Sequence, residues 1–350
     1  MRHLNWLLVF VPAAVAAELA HAPPLVIFIL AALAILPLSG LLGLATEELA
    51  GHTGPTIGGV LNATLGNLAE LIIAALALRA GLVGLVKASI TGSIIGNLLL
   101  VLGASQLAGG LRYKTQSFNP NLAGVSVSLL VISVIGLVVP ALFHATHPDP
   151  LRVATVRMSE FVAVFLILGY GLSLLYSMGT HRAVFGEGGD IAEGESAPDW
   201  SLKKSLVMLV ISAAAIGYLS ELLVSSTEAA TRQLGLSEVF VGLIVVPIIG
   251  NAAEHSSAVM MAMKNRMDLA VGISVGSSTQ VALLIAPLLV FLGLAFGQSM
   301  DLAFSLMEVA SVALAAAIAS TVVRDAESNW LEGALLLLVY AILGVAFFFF

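Results

Sequence analysis

Apolar residues occur in long runs along this chain, and short polar segments separate one run from the next. Clear runs cover residues 25–44, 125–145 and 331–350. Each approaches the ~20 residues that a helix needs to cross a ~30 Å hydrocarbon layer. Strands of a transmembrane barrel would alternate apolar and polar residues instead. The pattern predicts about eleven transmembrane helices, at residues 4–20, 24–44, 57–79, 82–108, 121–143, 155–177, 203–230, 237–262, 267–294, 301–322 and 329–349.

The composition also indicates a membrane protein. Hydrophobic residues make up 59% of the 350 residues and charged residues only 10%, against about 25% charged in ordinary soluble domains. We therefore predict an all-α, multi-pass integral membrane protein surrounded by a lipid bilayer. The first run follows Arg2 and reaches small residues at 14–16, so a cleaved signal peptide is the alternative to the retained first helix that we expect.

The sequence argues against several other chemistries. It has no cysteine, which excludes disulfides, thiolate metal sites and iron–sulfur clusters. It contains neither the Gly-rich phosphate loop of an ATP-driven pump nor the His-Glu-x-x-His motif of a metalloprotease. Its basic residues are scattered, which argues against nucleic acid as a partner. We expect no enzyme activity and no cofactor; the oligomeric state is left open.

Lys and Arg residues predict the orientation, because cytoplasmic loops carry their excess. With the N-terminus inside, nine of the 14 fall on the cytoplasmic side: Arg2, Arg112, Lys114, Arg182, Lys203, Lys204, Lys264, Arg266 and Arg324. The outer side holds Arg79, Lys87, Arg152, Arg157 and Arg232. We therefore predict a cytoplasmic N-terminus and an outer C-terminus, in a prokaryotic plasma membrane.

A five-residue motif occurs twice in the chain. Gly-Asn-Leu-Ala-Glu at residues 66–70 returns as Gly-Asn-Ala-Ala-Glu at residues 250–254, which is 184 positions later. Further matches at the same offset are Gly58 with Gly242, Gly92-Ser93 with Gly276-Ser277, and Leu99-Leu100 with Leu283-Leu284. This series indicates an internal repeat.

The repeat predicts two halves of five helices each, namely helices 2–6 and helices 7–11. Because five is odd, the second half enters the membrane from the opposite side. Such inverted-topology repeats are typical of secondary transporters, with the substrate site near the midplane. The predicted division is an N-terminal helix at 1–21, a first repeat at 22–177, an acidic cytoplasmic linker at 178–201 and a second repeat at 202–350.

The repeated motif carries oxygen ligands for a hard cation. Glu70 and Glu254 each follow an asparagine by three residues, so Asn67 and Asn251 share their helical faces. Two carboxylates neutralise one divalent ion, and amide carbonyls add neutral oxygens, which suits the preference of Ca2+ for 6 to 8 oxygen ligands. Gly66 and Gly250 allow close backbone approach. The alternative is that each glutamate is protonated and each asparagine bonds a neighbouring helix.

Other polar residues within the predicted spans are weaker candidates. Ser93, Asn97, Ser277 and Gln280 either line the ion site or bond neighbouring helices. Glu221 and Glu308 are candidates for a gating or proton-path role, because carboxylates in a bilayer are costly. The linker holds five acidic residues and is either a solvated connection or a surface that attracts cations: Glu187, Asp190, Glu193, Glu195 and Asp199.

Four segments carry a family resemblance. They are the motif at 66–70, Gly-Asn-Ala-Ala-Glu-His at 250–255, Gly-Ser-Ser-Thr-Gln at 276–280 and Ser-Asn-Trp-Leu-Glu-Gly at 328–333. Together they resemble the cation/proton exchanger family of the Ca2+/cation antiporter superfamily. The resemblance implies eleven helices, an acidic stretch between helices six and seven, and competition between Ca2+ and H+ at Glu70 and Glu254. It also implies alternating access through sliding of the second and seventh helices.

These observations favour a secondary antiporter that exchanges Ca2+ for H+ at two midplane glutamates. A Na+-coupled Ca2+ exchanger is the first alternative, although that branch places Gly-Thr-Ser before its acidic residue and this chain has Gly-Asn in both halves. A Ca2+-permeable channel is the second alternative, because carboxylate rings also form cation filters. The repeat favours a carrier over a channel.

Overall fold

The computed structural model describes residues 2–147, 151–181 and 198–350. In these ranges the chain is mainly helical, with a single short two-stranded sheet. A 3-10 helix at Arg2–Val9 leads into α1 (Phe10–Leu19), and the other helices of the N-terminal half are α2 (Pro24–Gly51), α3 (Pro55–Leu65), α4 (Leu68–Arg79), α5 (Val83–Tyr113), α6 (Pro120–Thr146) and α7 (Val153–Thr180). The C-terminal half contains α8 (Leu202–Leu234), α9 (Glu238–Gly250), α10 (Ala252–Met263), α11 (Met267–Phe296), α12 (Leu306–Val323) and α13 (Trp330–Phe348).

Eight helices in the described ranges are long and apolar enough to cross a membrane. The pair α9 and α10 meets the same criteria together, with a 62° bend between the two helices. The prediction of a multi-pass, all-α membrane protein is therefore confirmed. Every predicted span coincides with helix, but the count of eleven transmembrane helices and the inverted layout stay predictions.

Two predicted spans are interrupted at the repeated motif. The span at 57–79 is divided into α3 and α4 around Gly66 and Asn67, and the span at 237–262 is divided into α9 and α10 at Asn251. Asn67 and Asn251 both have backbone angles outside the helical region, with φ −96°, ψ 24° and φ −103°, ψ 8°. Glycine and asparagine are poor helix formers, so the motif is a natural position for a break.

The predicted span at 301–322 also begins later than expected. Residues 301–305 are not helical, and α12 starts at Leu306. Ser305 is the N-cap: its hydroxyl accepts a bond from the backbone N–H of Glu308, and the Glu308 carboxylate accepts one from the N–H of Ser305. This capping box fixes the start of α12.

Four of the described helices contain π-helical segments, at Gly96–Val101 in α5, Leu175–Thr180 in α7, Val241–Val245 in α9 and Val281–Ile285 in α11. The segments in α9 and α11 end two residues before Pro247 and Pro287, respectively. Proline has no N–H to donate and crowds the carbonyl four residues earlier, so a wider turn relieves that contact.

The described chain forms two compact units, and each takes segments from both halves of the sequence. The first unit comprises Met1–Ser89, Glu193–Ala253 and Phe347–Phe350. Its longest helices, α2 and α8, pack along each other, and α4 and α9 pack beside them. A Cβ atom at Gly242 of α9 would lie 2.7 Å from the Cβ of Ala88, so a glycine is needed where α9 meets the start of α5.

The second unit comprises Ile90–Ala192 and Glu254–Ala346. Here α6 packs on α7 and α12, and α11 packs on α5, α6 and α7. The two-stranded sheet belongs to this unit: β1 (Thr115–Ser117) follows α5 and pairs antiparallel with β2 (Glu327–Asn329), which precedes α13. The Arg152 guanidinium contacts the Asp301 carboxylate at 3.0 Å, which connects the start of α7 to the segment before α12.

Candidate functional site

A direct hydrogen bond joins the two copies of the repeated motif within the first compact unit. The side-chain amide of Asn251 donates to a carboxylate oxygen of Glu70. Both side chains are buried, with 2% and 8% of their surface exposed. Glu70 lies in the first turn of α4, where the helix dipole favours a negative charge. One residue of each motif, Glu70 and Asn251, thus takes part in the same polar contact.

Gly250 packs against the same carboxylate side chain. A Cβ atom at this position would lie 3.2 Å from Cγ of Glu70, closer than ordinary van der Waals contact. The absence of a side chain therefore lets the end of α9 approach α4. The predicted reason for a glycine at position 250 agrees with this geometry.

The remaining residues of the motif occupy equivalent positions around the two helix breaks. Asn67 is buried and directly precedes α4, and Gly66 lies just before it. Glu254 lies in the first turn of α10, as Glu70 does in α4, and it is partly buried in the second compact unit. Each glutamate is therefore the third residue of a helix that follows a Gly-Asn break.

The break itself was not predicted from the sequence. Transporters place interrupted helices at their substrate sites, because helix ends present backbone carbonyls and N–H groups that a continuous helix uses internally. The available signal was the Gly-Asn pair in an otherwise apolar run, at 66–67 and again at 250–251.

The four candidate lining residues lie together on α5 and α11 of the second unit. Ser93, Asn97, Ser277 and Gln280 are all buried. The amide of Asn97 donates to the hydroxyl of Ser277 at 2.9 Å, and Ser278 donates to the carbonyl of Ile94 at 3.4 Å. These bonds connect the two helices, so the helix-bonding role is observed for the pair Asn97 and Ser277. A role in lining the ion site stays a prediction for all four.

Glu221 and Glu308 have different surroundings, each within its own compact unit. Glu221 is exposed on α8 of the first unit, where it shares a cavity of about 360 Å3 with Arg79 and Glu228. Arg79 is the last residue of α4, nine residues and therefore about 13 Å along the helix from Glu70. Glu308 is buried in the capping box of α12, and Thr91 donates to its other oxygen at 3.4 Å. Gating and proton roles for both residues stay predictions.

The acidic linker lies mostly beyond the described ranges. Of its five acidic residues, Glu187, Asp190, Glu193 and Glu195 fall outside them, whereas Asp199 is described and exposed just before α8. The segment that follows is attached to α2: the backbone N–H of Trp200 donates to Glu48 at 2.9 Å, and the ring of His52 donates to the Trp200 carbonyl at 2.7 Å.

Lys87 also differs from its predicted position. The sequence pattern places it among the outer basic residues, but it is buried in the second turn of α5 with 8% of its surface exposed. The predicted span starts at residue 82, and a lysine so close to the end of a span gives no sign of burial in the sequence. The bias of basic residues that predicts the orientation is therefore stronger without it.

A sequence profile of the family described as "Sodium/calcium exchanger protein" matches residues 23–179 and 204–349. The chain belongs to the sodium/calcium exchanger protein family. The two matched segments leave out residues 180–203, which include most of the acidic linker. The division into two repeats stays a prediction.

Several relatives in this exchanger family align along almost their whole length. A Ca2+/H+ antiporter from Aphanothece halophytica is 45% identical over 98% of this chain and 95% of its own. The Ca2+/H+ antiporter ChaA from Bacillus subtilis is 42% identical over 97% of this chain and 96% of its own. The solved structure of the Ca2+/H+ antiporter protein YfkE is 38% identical, with a TM-score of 0.86 and full coverage of both chains. The predicted family resemblance is confirmed.

Proposed function

We propose that this chain is a secondary antiporter that exchanges Ca2+ for H+ across a membrane by alternating access. The observation that carries the proposal is the hydrogen bond from Asn251 to Glu70, because it brings both copies of the motif to one buried carboxylate. The names of the exchanger relatives, which are Ca2+/H+ antiporters, support the identity of the two ions.

The proposed ion site contains Glu70, Glu254, Asn67 and Asn251, near the membrane midplane. The support for Glu254 is the repeat: it follows its Gly-Asn break as Glu70 follows the first one. Two carboxylates balance one divalent ion, and two amides add neutral oxygens. Without Ca2+, the N–H of Asn251 stabilises the buried Glu70 carboxylate; turning the amide over presents its oxygen to the cation instead.

The proposed coupling is direct competition. A proton on Glu70 or Glu254 removes the charge that holds Ca2+, so the two ions occupy the site in turn. Apparent Ca2+ affinity should therefore fall as the pH falls. The final carbonyls of α3 and α9, at the two breaks, offer further oxygen ligands, since helix ends lack partners for them. Such half-helix ends are used for cations in other transporters.

The proposed membrane placement follows from sequence and family. We place the protein in a prokaryotic plasma membrane with its N-terminus in the cytoplasm, on the bias of its basic residues. The proposed moving elements are α2 and α8, which correspond to the second and seventh predicted spans. Their packing along each other in the first unit is compatible with a sliding contact.

The test is Ca2+ uptake into proteoliposomes under three imposed gradients. A pH gradient without Na+ should drive uptake against a Ca2+ gradient, and reversing the pH gradient should reverse the flux. Uptake driven by a Na+ gradient alone would identify a Na+-coupled exchanger. Ca2+ flux down its own gradient that does not change with the pH gradient or the Na+ gradient would identify a channel.

A further inference from the structure

Gln116 is a buried polar residue at the centre of β1. It is 2% exposed, whereas its neighbours Thr115 and Ser117 are exposed. This alternation is that of a strand with one face turned inward. Gln116 pairs with Ser328 in β2, so the sheet holds the Gln116 backbone while its side chain reaches into the second unit.

The side chain of Gln116 caps the end of α10. Its amide nitrogen donates to the carbonyl of Ala262 at 2.9 Å and to Oδ1 of Asn265 at 2.9 Å. The Tyr113 hydroxyl donates to the carbonyl of Met263 at 3.1 Å. Since the last four carbonyls of a helix lack partners within the helix, these bonds attach the final turn of α10 to the end of α5 and to β1.

Two backbone features make room for this contact. A Cβ atom at Gly109 of α5 would lie 1.9 Å from Oε1 of Gln116 and 3.2 Å from the Ala262 carbonyl oxygen. Asn265 has a positive φ of 61°, which ends α10 and turns the Asn265 side chain toward Gln116. Glycine and asparagine are the residues that permit these two geometries.

The other end of α10 carries Glu254. Eight residues separate Glu254 from Ala262, a distance of about 12 Å along a helix. The attachment at Ala262, Met263 and Asn265 fixes the C-terminal end of the helix that carries Glu254.

We propose that Gln116 is a positioning residue for Glu254: by fixing the C-terminal turn of α10, it sets where Glu254 lies. The inference rests on the proposed function, which assigns Glu254 to the ion site. A helix behaves as a stiff rod, so a small rotation at its fixed end displaces the carboxylate at its other end. Small displacements matter because ion sites tolerate errors of only about 0.5 Å.

The experiment compares three variants, each of which disrupts the contact between Gln116 and the end of α10 in a different way. Gln116→Glu keeps the size but removes both donors, Asn265→Gly removes one acceptor while permitting the positive φ, and Gly109→Ala displaces the Gln116 side chain. Thr115→Ala, on the exposed face of β1, is the matched control. Equilibrium binding of radioactive Ca2+ to the purified protein is measured for each variant, with Glu254→Gln alongside.

In Gln116→Glu, the loss of the buried hydrogen bonds from the Gln116 amide should weaken Ca2+ binding about tenfold. Asn265→Gly and Gly109→Ala should show smaller losses, and Thr115→Ala none. Hydrogen exchange at the amides of Lys264 and Arg266 should quicken in the same order. In transport, the Ca2+ KM should rise while the maximal rate per folded protein is retained.

The outcomes separate the two proposals. Unchanged Ca2+ binding in Glu254→Gln contradicts the proposed site. Weakened binding in Glu254→Gln but normal binding in Gln116→Glu, with quickened exchange in α10, contradicts the positioning role alone. If Gln116→Glu does not fold, normal binding in both Asn265→Gly and Gly109→Ala overturns the inference.

Discussion

The side-chain amide of Asn251 donates a hydrogen bond to the carboxylate of Glu70, although 181 residues separate the two in the chain. Each belongs to one copy of the Gly-Asn-x-x-Glu repeat. The two copies therefore meet at a buried carboxylate.

The first prediction concerns the amide itself. Asn251→Ala removes a donor to a buried carboxylate and a neutral oxygen from the proposed Ca2+ site. We expect apparent Ca2+ affinity to fall about fivefold to tenfold, with transport retained because both carboxylates are present. Flux is measured against Ca2+ concentration in proteoliposomes. Asn62→Ala, at an exposed asparagine of α3, is the control. An equal loss of Ca2+ affinity in Asn62→Ala would show that the effect at Asn251 is not specific to the proposed site.

The second prediction concerns the glycine beside Glu70. Gly250→Ala places a methyl group 3.2 Å from Cγ of Glu70 and should displace the carboxylate, which lowers Ca2+ affinity. Gly272→Ala in α11 is the matched control, because a Cβ atom there meets nothing within 4 Å. Equal affinities in these two variants would show that close packing at Gly250 has no part in ion binding.

The third prediction separates a structural from a proton-carrying role for Glu308. Glu308→Ala removes the capping box and the acceptor for Thr91, and should lower the free energy of unfolding by about 1 kcal/mol. Glu308→Gln should retain most of the stability, since glutamine also completes a capping box, and should retain exchange. Stability is read from thermal unfolding in detergent. A stable Glu308→Gln protein without exchange would assign Glu308 to the proton path.

The fourth prediction concerns the acidic linker. We expect that replacing all five acidic residues by their amides leaves exchange intact and modestly weakens Ca2+ affinity from the cytoplasmic side. The effect should be larger at low salt, because screening is then weak. The five positions are Glu187, Asp190, Glu193, Glu195 and Asp199. Complete loss of exchange in a folded variant would show that the linker belongs to the transport site.

Much of the fold could be predicted from the hydrophobic pattern alone. The apolar runs located every long helix, because a bilayer imposes both length and composition on a spanning segment. The repeat located Glu70 and Asn251, because paired motifs at a fixed offset indicate equivalent positions in two halves. Their direct contact agrees with that expectation.

Other features depend on local and tertiary contacts that a hydrophobic pattern does not report. The breaks at Asn67 and Asn251 interrupt runs that remain apolar on both sides. Lys87 is buried although it lies near the start of α5. Gln116 occurs in a short polar segment between two spans, and only the fold shows that it caps α10.

The most direct test of the account is to record Ca2+ and H+ movement together in the same proteoliposomes, without Na+. For the native chain we predict that Ca2+ entry is accompanied by H+ exit, and that both fluxes stop in Glu70→Gln and in Glu254→Gln. Ca2+ entry without opposite H+ movement, or near-normal exchange in either glutamine variant, would contradict the claim that the two ions compete at these carboxylates.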